Sequence, residues 1–382
     1  MSDVSFDTMA VHQSQKQNKN FTAKVSPIYQ TSSFAFQNLD ELESYFEGET
    51  PYLYSRYGNP NTDELGAAVA TLEGAESGVA ASSGMSAILA GLLAVVKHGD
   101  HIIACEDLYG GTYHLLSEEL KNFGVDVTFV SFSNEAEVLS AIRPNTKLLY
   151  TESITNPFLR VENITTLVKI AKEYQLCSMV DNTFATPYLL QPYKAGVDLV
   201  VHSATKYLGG HSDVSAGVIV GTEELVKKAR QKIVNLGGNL SPFEAWLTCR
   251  GVKTLALRME KQSANAQSVA DFLENNENVK KVFYPKAVSK YGNGAVVTVE
   301  LAKQCDIRLF FSTLGWIKIV PSLGGVETTV SYPFGTSHRN LPRESQEKLG
   351  INKSVVRISI GIENEQDIII QLQQAIAKAV NN

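Results

Sequence analysis

Three features are scarce in this sequence: long hydrophobic runs, excess basic charge and cysteine. The longest apolar run, residues 88–96, is far shorter than the roughly 20 residues that a membrane-spanning helix needs. Basic residues number 34 against 40 acidic ones, giving a net charge of −6, so the chain has no electrostatic footprint for a nucleic acid. We therefore expect neither a membrane span nor a nucleic-acid partner.

The four cysteines, Cys105, Cys177, Cys249 and Cys305, are widely spaced and form no metal-ligand pattern. Cys105 and Cys177 fall in apolar, strand-like segments, which indicates buried and reduced thiols. The start of the chain also lacks the basic and apolar segments of a secretory signal. The sequence therefore predicts no metal site and a cytoplasmic protein.

What the chain does have is an ordinary globular composition over 382 residues, with 44% hydrophobic and 19% charged residues. That length exceeds a single typical core, so we expect two domains or one large α/β domain. From residue 61, short apolar runs alternate with helix-like stretches. The strand-like runs lie at 77–81, 102–104, 125–130, 147–150, 178–180, 199–201 and 218–220. The helix-like stretches lie at 62–72, 87–97, 113–123, 136–142 and 164–174. This alternation predicts an α/β fold with a mostly parallel sheet covered on both faces.

Beyond residue 240 the alternation ends. Residues 242–274 are typical of helices, strand-like runs follow at 280–283, 295–301 and 355–360, and a last helix-like stretch covers 366–380. Without strict alternation, this pattern predicts a smaller α+β domain. We expect a large domain over 56–241 and a small domain over 242–382. Residues 1–55 show no lasting period, so we expect them to form an arm that packs on a partner.

The most informative stretch is 198–210, where an apolar run is followed by Ser203, Thr205 and Lys206. A lysine just beyond a buried strand is partly desolvated, which lowers its pKa and makes its amine nucleophilic. Such an amine can form a Schiff base with a carbonyl substrate or with pyridoxal phosphate (PLP). The nearby hydroxyls suit a phosphate group. Taken alone, an exposed lysine after a strand is the commoner case.

Two loops add to this stretch. Ser83-Gly84-Met85 follows a strand-like run and opens a helix, so its backbone N–H groups can bind an anion. Asp181 follows another strand-like run, at an edge where open α/β sheets bind ligands. Its carboxylate can pair with a protonated pyridine nitrogen and so keep the ring an electron sink. The alternative for Asp181 is a helix N-cap.

Three more side chains are candidates, each with an alternative. Tyr109 can stack on a planar cofactor or lie in the core. Arg357, within an apolar strand, can bind a substrate carboxylate in bidentate fashion or face solvent. Arg56, between Tyr54 and Tyr57, suits a phosphate or carboxylate, or is an exposed arginine beside a turn.

These residues lie in motifs that resemble those of the transsulfuration enzymes of cysteine and methionine metabolism. That family contains cystathionine γ-lyase, β-lyase and γ-synthase, with sulfhydrylase and methionine γ-lyase relatives, all PLP enzymes of fold type I. The most specific motif runs from Asp198 through His202-Ser203-Ala204-Thr205-Lys206 to Asp213. The supporting motifs are Tyr54-Ser55-Arg56, Asn59-Pro60, Ser83-Gly84-Met85, Tyr109-Gly110-Gly111-Thr112, Asn156-Pro157, Val180-Asp181-Asn182-Thr183, Ser322-Leu323-Gly324-Gly325 and Arg357-Ile358-Ser359. The resemblance covers nearly the whole chain.

The resemblance implies a role for each matched residue. Lys206 would hold PLP as a Schiff base and then move protons, Asp181 would pair with the pyridine nitrogen, and Tyr109 would stack on the ring and assist proton transfer. The implied phosphate ligands are Gly84, Met85, Ser203 and Thr205, with Tyr54 and Arg56 contributed by a neighbouring subunit. The implied substrate-binding residues are Asn156, Ser322 and Arg357. The resemblance also implies a dimer with shared active sites, usually within a homotetramer.

Three departures from the family pattern bear on specificity. Pro321 stands where cystathionine γ-lyases and γ-synthases commonly have Glu, which argues against recognition of the distal amino group of cystathionine. Gly111 stands where methionine γ-lyases carry Cys, which argues against that activity. Residues 284–294 are short for the family, which implies a missing surface segment and a different access to the site.

The sequence therefore predicts a PLP-dependent carbon–sulfur lyase acting on cystathionine or a related thioether amino acid. The alternative is γ-replacement, in which an activated homoserine ester reacts with cysteine or sulfide, because the same residues serve both reactions. A remote alternative is a non-catalytic PLP-fold protein, which the joint presence of Lys206, Asp181, Tyr109 and Arg357 opposes. The motifs do not separate β-elimination from γ-elimination.

Overall fold

A computed structural model describes residues 4–12, 23–339 and 342–380. Its N-terminal segment contains two short helices, α1 (Phe6–Val11) and α2 (Leu39–Phe46). The prediction of no regular structure in this segment is wrong at these two helices. They have 6 and 8 residues, too few for an apolar period to show. Residues 1–3 and 13–22 of the predicted arm lie outside the described residues.

A seven-stranded sheet follows, in the order β1-β7-β6-β5-β4-β2-β3. Its strands are β1 (Ser77–Ala81), β2 (His101–Cys105), β3 (Asp126–Val130), β4 (Thr146–Glu152), β5 (Cys177–Asp181), β6 (Leu199–Ser203) and β7 (Gly217–Gly221). Strand β7 pairs antiparallel with both of its neighbours, and every other pairing in the sheet is parallel. The predicted mostly parallel sheet is confirmed, and all seven predicted strand-like runs fall in it.

Helices cover both faces of this sheet. They are α3 (Pro60–Glu73), α4 (Gly84–Val95), α5 (Gly110–His114), a π-helical turn (Leu115–Glu119), α6 (Leu120–Asn122), α7 (Glu135–Ser140), α8 (Ile164–Glu173), α9 (Thr186–Leu189) and α10 (Glu223–Leu236). Val180 and Val200 pack into the core on one face, whereas Met179 and Val201 pack into the core on the other. Because both faces are buried, the strands are continuous apolar runs rather than alternating ones.

The rest of the chain builds a second sheet. Two long helices come first, α11 (Pro242–Val252) and α12 (Leu255–Glu274), as predicted. The sheet has the order β10-β11-β12-β9-β8, with β8 (Val279–Phe283), β9 (Val296–Leu301), β10 (Lys318–Ile319), β11 (Thr329–Ser331) and β12 (Val355–Ser359). Its further helices are α13 (Ile307–Ser312), a 3₁₀ turn (Pro333–Gly335), α14 (Arg343–Leu349) and α15 (Glu365–Val380). Strands β10 and β11 have too few residues to show a period, so the sequence did not predict them.

The two sheets meet where the functional residues lie. The carboxyl ends of β4, β5 and β6 face the same region, and β12 brings Arg357 to it from the second sheet. No helix in the described part of the chain is long and apolar enough to cross a membrane. No group of three or more potential metal ligands occurs among residues 4–12, 23–339 and 342–380.

Candidate active site

A cavity of about 210 Å³ lies at this meeting point. It gathers residues that are far apart in the sequence, as the prediction required. The predicted site residues that line it are Gly84, Met85, Tyr109, Asn156, Asp181, Ser203, Thr205, Lys206 and Arg357. The other predicted site residues, Tyr54, Arg56 and Ser322, do not line it.

Lys206 lies three residues beyond the end of β6. Its Nζ donates a hydrogen bond to Ser322 Oγ at 2.9 Å. Burial, with a smaller effect from the Arg357 charge, lowers the pKa of Lys206 to about 8. The loop between β10 and β11 packs against the Lys206 backbone at Gly324. Gly324 has φ +81°, a left-handed conformation that favours glycine. The lysine is therefore half-buried, oriented and partly neutral at physiological pH, so the exposed-lysine alternative is wrong.

The N-terminus of α4 lines the same cavity as Lys206 and is a candidate anion cradle. Ser83 caps the helix, and its side chain accepts a hydrogen bond from the Ser86 N–H. Gly84 packs so closely on β6 that a Cβ there would lie 2.7 Å from the Ser203 Cβ. The unpaired N–H groups of the first turn and the helix dipole favour a bound anion at this end. Thr205 is partly committed elsewhere, because its hydroxyl donates to the Ala216 carbonyl at 3.2 Å.

Asp181 is the last residue of β5 rather than the residue after it. Its Oδ1 accepts a hydrogen bond from the Thr183 N–H at 2.9 Å. Burial raises the pKa of Asp181, whereas hydrogen bonds from Thr183 and the charge of His202 lower it. The next helix, α9, has Ala185 at its N-cap, so the helix-cap alternative for Asp181 is wrong.

Arg357 is buried, with 3% of its surface exposed, so the solvent-facing alternative is wrong. It lies on β12, which is the central strand of the second sheet. Its Nη1 donates to Asn156 Oδ1 at 2.9 Å, and its Nε has no hydrogen-bond partner among the described residues. Burial lowers the pKa of Arg357 to about 10, which leaves it cationic at neutral pH. A buried cation with a free donor is suited to a carboxylate ligand.

Tyr109 has 42% of its surface exposed and lines the cavity, so the alternative of a core tyrosine is wrong. It precedes α5, and its ring folds back over Gly111: a Cβ at Gly111 would lie 2.6 Å from the Tyr109 Cε1. Pro321 and Leu323 add apolar lining from the second sheet.

Sequence reasoning missed Glu152, the last residue of β4. It lines the cavity and stands opposite Asp181 in the β4–β5 register. Its Oε1 accepts a hydrogen bond from the Tyr109 N–H at 2.7 Å. The rule that ligands bind at the carboxyl ends of parallel strands would have identified it, because Glu152 follows an apolar run just as Asp181 does.

Tyr54 and Arg56 lie outside the cavity of their own chain. The Arg56 guanidinium stacks on the Tyr57 ring at 4.6 Å and on the Tyr54 ring at 5.7 Å. Its Nη1 donates a long hydrogen bond of 3.4 Å to the Val234 carbonyl. The structure thus separates these two residues from the other predicted phosphate ligands.

Comparison with known proteins gives a consistent result. The model of a family described as Cys/Met metabolism PLP-dependent enzyme matches residues 7–377. The cystathionine beta-lyase of Lactococcus lactis subsp. cremoris is 39% identical, with 98% of this chain and 100% of the relative covered. The L-methionine gamma-lyase of Porphyromonas gingivalis is 40% identical over 97% of this chain and 96% of the relative. A solved structure of a putative O-acetylhomoserine (thiol)-lyase from Campylobacter jejuni, containing N'-pyridoxyl-lysine-5'-monophosphate, superposes with a TM-score of 0.92 at 31% identity, covering 98% of this chain and 100% of that one.

Proposed function

The chain belongs to the Cys/Met metabolism PLP-dependent enzymes, and from this premise we propose that it removes the sulfur-bearing group from a thioether amino acid. The predicted family, the fold type and the PLP cofactor are confirmed by the comparisons. The observation that carries the proposal is a desolvated amine, Lys206, in one cavity with a buried carboxylate, Asp181, and a buried guanidinium, Arg357.

The described residues fit PLP. Lys206 offers a primary amine of lowered pKa for the carbonyl, and the first turn of α4 offers N–H groups for the phosphate. The absence of a side chain at Gly84 lets that turn approach Ser203 closely. Asp181 would face the ring nitrogen. PLP, when bound, supplies an electron sink that stabilises negative charge at the substrate's α-carbon.

The chain's own residues then orient the substrate and move protons. Arg357 would hold the substrate carboxylate through its free Nε, with Asn156 fixing the guanidinium through Nη1. Lys206 Nζ would accept the proton from the α-carbon, and its hydrogen bond to Ser322 Oγ fixes where that amine points. Tyr109, at the cavity wall, would assist proton transfer with its hydroxyl.

For the substrate, the cavity's charges favour a thioether whose distal end is uncharged. The side chains with a carboxyl, amino or guanidinium group that line it are Glu152, Asp181, Lys206 and Arg357. Each already has a partner or a proposed role at the reacting end. Pro321 and Leu323 offer no charge for the second amino and carboxyl groups of cystathionine. Because Gly111 argues against methionine, we expect S-alkylcysteines such as S-methylcysteine to be better substrates than cystathionine.

Product analysis tests this proposal. The purified enzyme is offered cystathionine, methionine, S-methylcysteine and O-acetylhomoserine with and without sulfide. Formation of a thiol, ammonia and pyruvate or 2-oxobutanoate from a thioether supports a lyase, and the keto acid distinguishes β- from γ-elimination. If only O-acetylhomoserine with sulfide reacts, giving homocysteine, the enzyme catalyses γ-replacement, the alternative that the Campylobacter jejuni structure favours. O-Acetylhomoserine is also offered with cysteine, and formation of cystathionine shows γ-replacement as well. A PLP-loaded protein that turns over none of these mixtures is the non-catalytic alternative.

The proposal extends to assembly, domains and location. The active unit would be a homo-oligomer, at least a dimer, in which Tyr54 and Arg56 complete a neighbour's phosphate site; their position outside their own cavity supports this. The chain would divide into an arm (1–55), a PLP-binding domain (56–241) and a small domain (242–382). The four free cysteines support a cytoplasmic location, where thiols stay reduced. The short length of segment 284–294 relative to the family stays a prediction.

A further inference from the structure

Glu152 is a cavity-lining carboxyl group without a role in the chemistry above. It lies at the end of β4 with 5% of its surface exposed. A buried carboxyl group at an active site is costly unless it is paired or neutral, so its presence needs a physical reason.

Its hydrogen bonds join two loops. Oε1 accepts the N–H of Tyr109 at 2.7 Å, and the carboxyl group also accepts a hydrogen bond from the backbone of Asn156. Tyr109 is the N-cap residue of α5 and carries the ring at the cavity wall. Asn156 carries the amide that fixes Arg357. One carboxyl group therefore ties together the backbones of two residues that contact the proposed ligands.

The groups around Glu152 are mostly acidic. Asp181 stands opposite it on β5, and the loop after β2 contributes Asp107. Tyr150 interacts with it from its own strand, and Arg357 is the basic group on β12 that interacts with it. Glu152 takes part in no ion pair among the described residues. Burial and the Asp181 charge raise the pKa of Glu152 well above its usual range, and the hydrogen bonds from the Tyr109 and Asn156 backbones lower it by less.

We propose that Glu152 is a positioning residue that acts as a neutral acid, holding the Tyr109 and Asn156 backbones in place and leaving Asp181 as the anion at the ring nitrogen. As a neutral acid, Glu152 adds no second negative charge beside Asp181, where two adjacent carboxylates would repel each other. The proposal rests on the proposed function only for the ligand class, an α-amino acid bound to the PLP-loaded enzyme.

Two substitutions distinguish the effect of the hydrogen bonds that Glu152 accepts from the effect of its charge. Glu152→Gln keeps the shape and an acceptor oxygen and is neutral at every pH. Glu152→Leu has similar size but no acceptor. Glu162→Gln is the matched control. Glu162 is also a buried carboxyl group, but it lies outside the cavity and pairs with Arg160 at 2.6 Å.

Two quantities are measured on the PLP-loaded enzyme. The first is the affinity for L-alanine, determined from the change in visible absorbance on binding. The second is the pH midpoint of the visible band. L-Alanine has no leaving group, so binding does not depend on which thioether is the substrate. We expect Glu152→Gln to bind L-alanine within about threefold of the wild type with an unchanged pH midpoint. We expect Glu152→Leu to bind at least about tenfold more weakly, since a small displacement of positioning groups is costly. Glu162→Gln should lower the melting temperature and leave both readouts unchanged.

Either of two results would overturn the proposal. If Glu152→Gln binds L-alanine as weakly as Glu152→Leu and lowers the pH midpoint of the band, Glu152 acts as an anion. If Glu152→Leu binds L-alanine like the wild type, the two loops do not need it. If Glu152→Leu fails to fold, the Glu152→Gln variant and its pH titration still show whether Glu152 is charged in the wild type. A wild-type enzyme that binds L-alanine but cleaves no thioether would count against the proposed function and not against the role of Glu152.

Discussion

Burial shifts the pKa of four side chains in the cavity, Lys206, Arg357, Asp181 and Glu152, toward the neutral form. It lowers the pKa of Lys206 to about 8 and of Arg357 to about 10, and it raises the pKa of Asp181. The two lowered pKa values have different consequences for charge, because the lysine becomes partly neutral near pH 8 whereas the arginine stays charged. One desolvated pocket thus supplies both a free amine and a fixed cation.

The lowered pKa of Lys206 predicts how the apo-protein takes up PLP. Only the neutral amine attacks a carbonyl, so the rate of visible-band formation should rise with pH and level off above a midpoint near 8. Stopped-flow absorbance across pH 6.5–10 measures it. The variant Lys206→Ala should form no such band, and borohydride should attach no PLP to its chain. A rate that keeps rising toward pH 10 would mean that Lys206 ionises like an exposed lysine.

At Asp181 the substitution to Asn isolates charge from shape. Asn keeps the Oδ1 acceptor for the Thr183 N–H, so the local turn should persist. Loss of the carboxylate removes the partner of the ring nitrogen, and we expect kcat to fall by about 10²–10³ with PLP still bound.

Steady-state kinetics on the best thioether substrate measures this effect. Asp198→Asn is the control, because Asp198 also accepts a backbone N–H at a strand end, from Ser178, but lies outside the cavity. Near-normal kcat in Asp181→Asn would show that the residue is only structural.

At the scale of elements, the site depends on how closely α4 packs on β6. A methyl group at Gly84 would lie 2.7 Å from the Ser203 Cβ and 3.1 Å from its Cα, so the helix N-terminus would have to move away. Gly84→Ala should therefore weaken PLP binding by at least about tenfold, because the first-turn N–H groups no longer meet the phosphate.

Gly91→Ala on the same helix is the control for that experiment. Its added methyl group would also lie 2.7 Å from a neighbour, but that neighbour is the flexible end of Met179, and Gly91 lies outside the cavity. Equilibrium titration with PLP and thermal melting separate the two variants. Equal PLP affinity in Gly84→Ala and the wild type would refute the cradle at α4.

At the scale of the whole molecule, Arg56 and Tyr54 raise the question of which subunit they serve. Both rings beside Arg56 are exposed, Tyr54 by 41% and Tyr57 by 42%, and neither Tyr54 nor Arg56 lines its own cavity. An exposed cationic and aromatic surface of this kind suits a phosphate held by another subunit.

A complementation experiment tests the shared site. Arg56→Ala and Lys206→Ala should each be inactive, Arg56→Ala through weak PLP binding. Unfolding and refolding them together should restore part of the activity, because some mixed dimers contain one intact site. If native mass spectrometry confirms mixed oligomers and no activity returns, Arg56 serves its own chain or no site.

The order of strands and helices and the positions of Lys206, Asp181 and Gly84 were predictable from the sequence. They depend on local signals: apolar runs long enough for a buried strand, and a polar or small residue directly after each. The long pair α11 and α12 was predictable for the same reason. Among the elements that were missed, α1, α2, β10 and β11 are too short to carry a period. The 14-residue helix α10 was also missed, although its buried residues Val226, Ala229 and Ile233 recur at helical spacing.

The tertiary structure alone decided what each candidate touches. Arg357 meets Asn156 across 201 positions of sequence, and Glu152 meets the Tyr109 N–H across 43. Such contacts are set by strand register and by how the two sheets pack, and neither leaves a local pattern. Because charge and reactivity follow burial and neighbours, local sequence signals identified most of the residues that line the cavity, and the packing of the two sheets determined the pKa and the orientation of each.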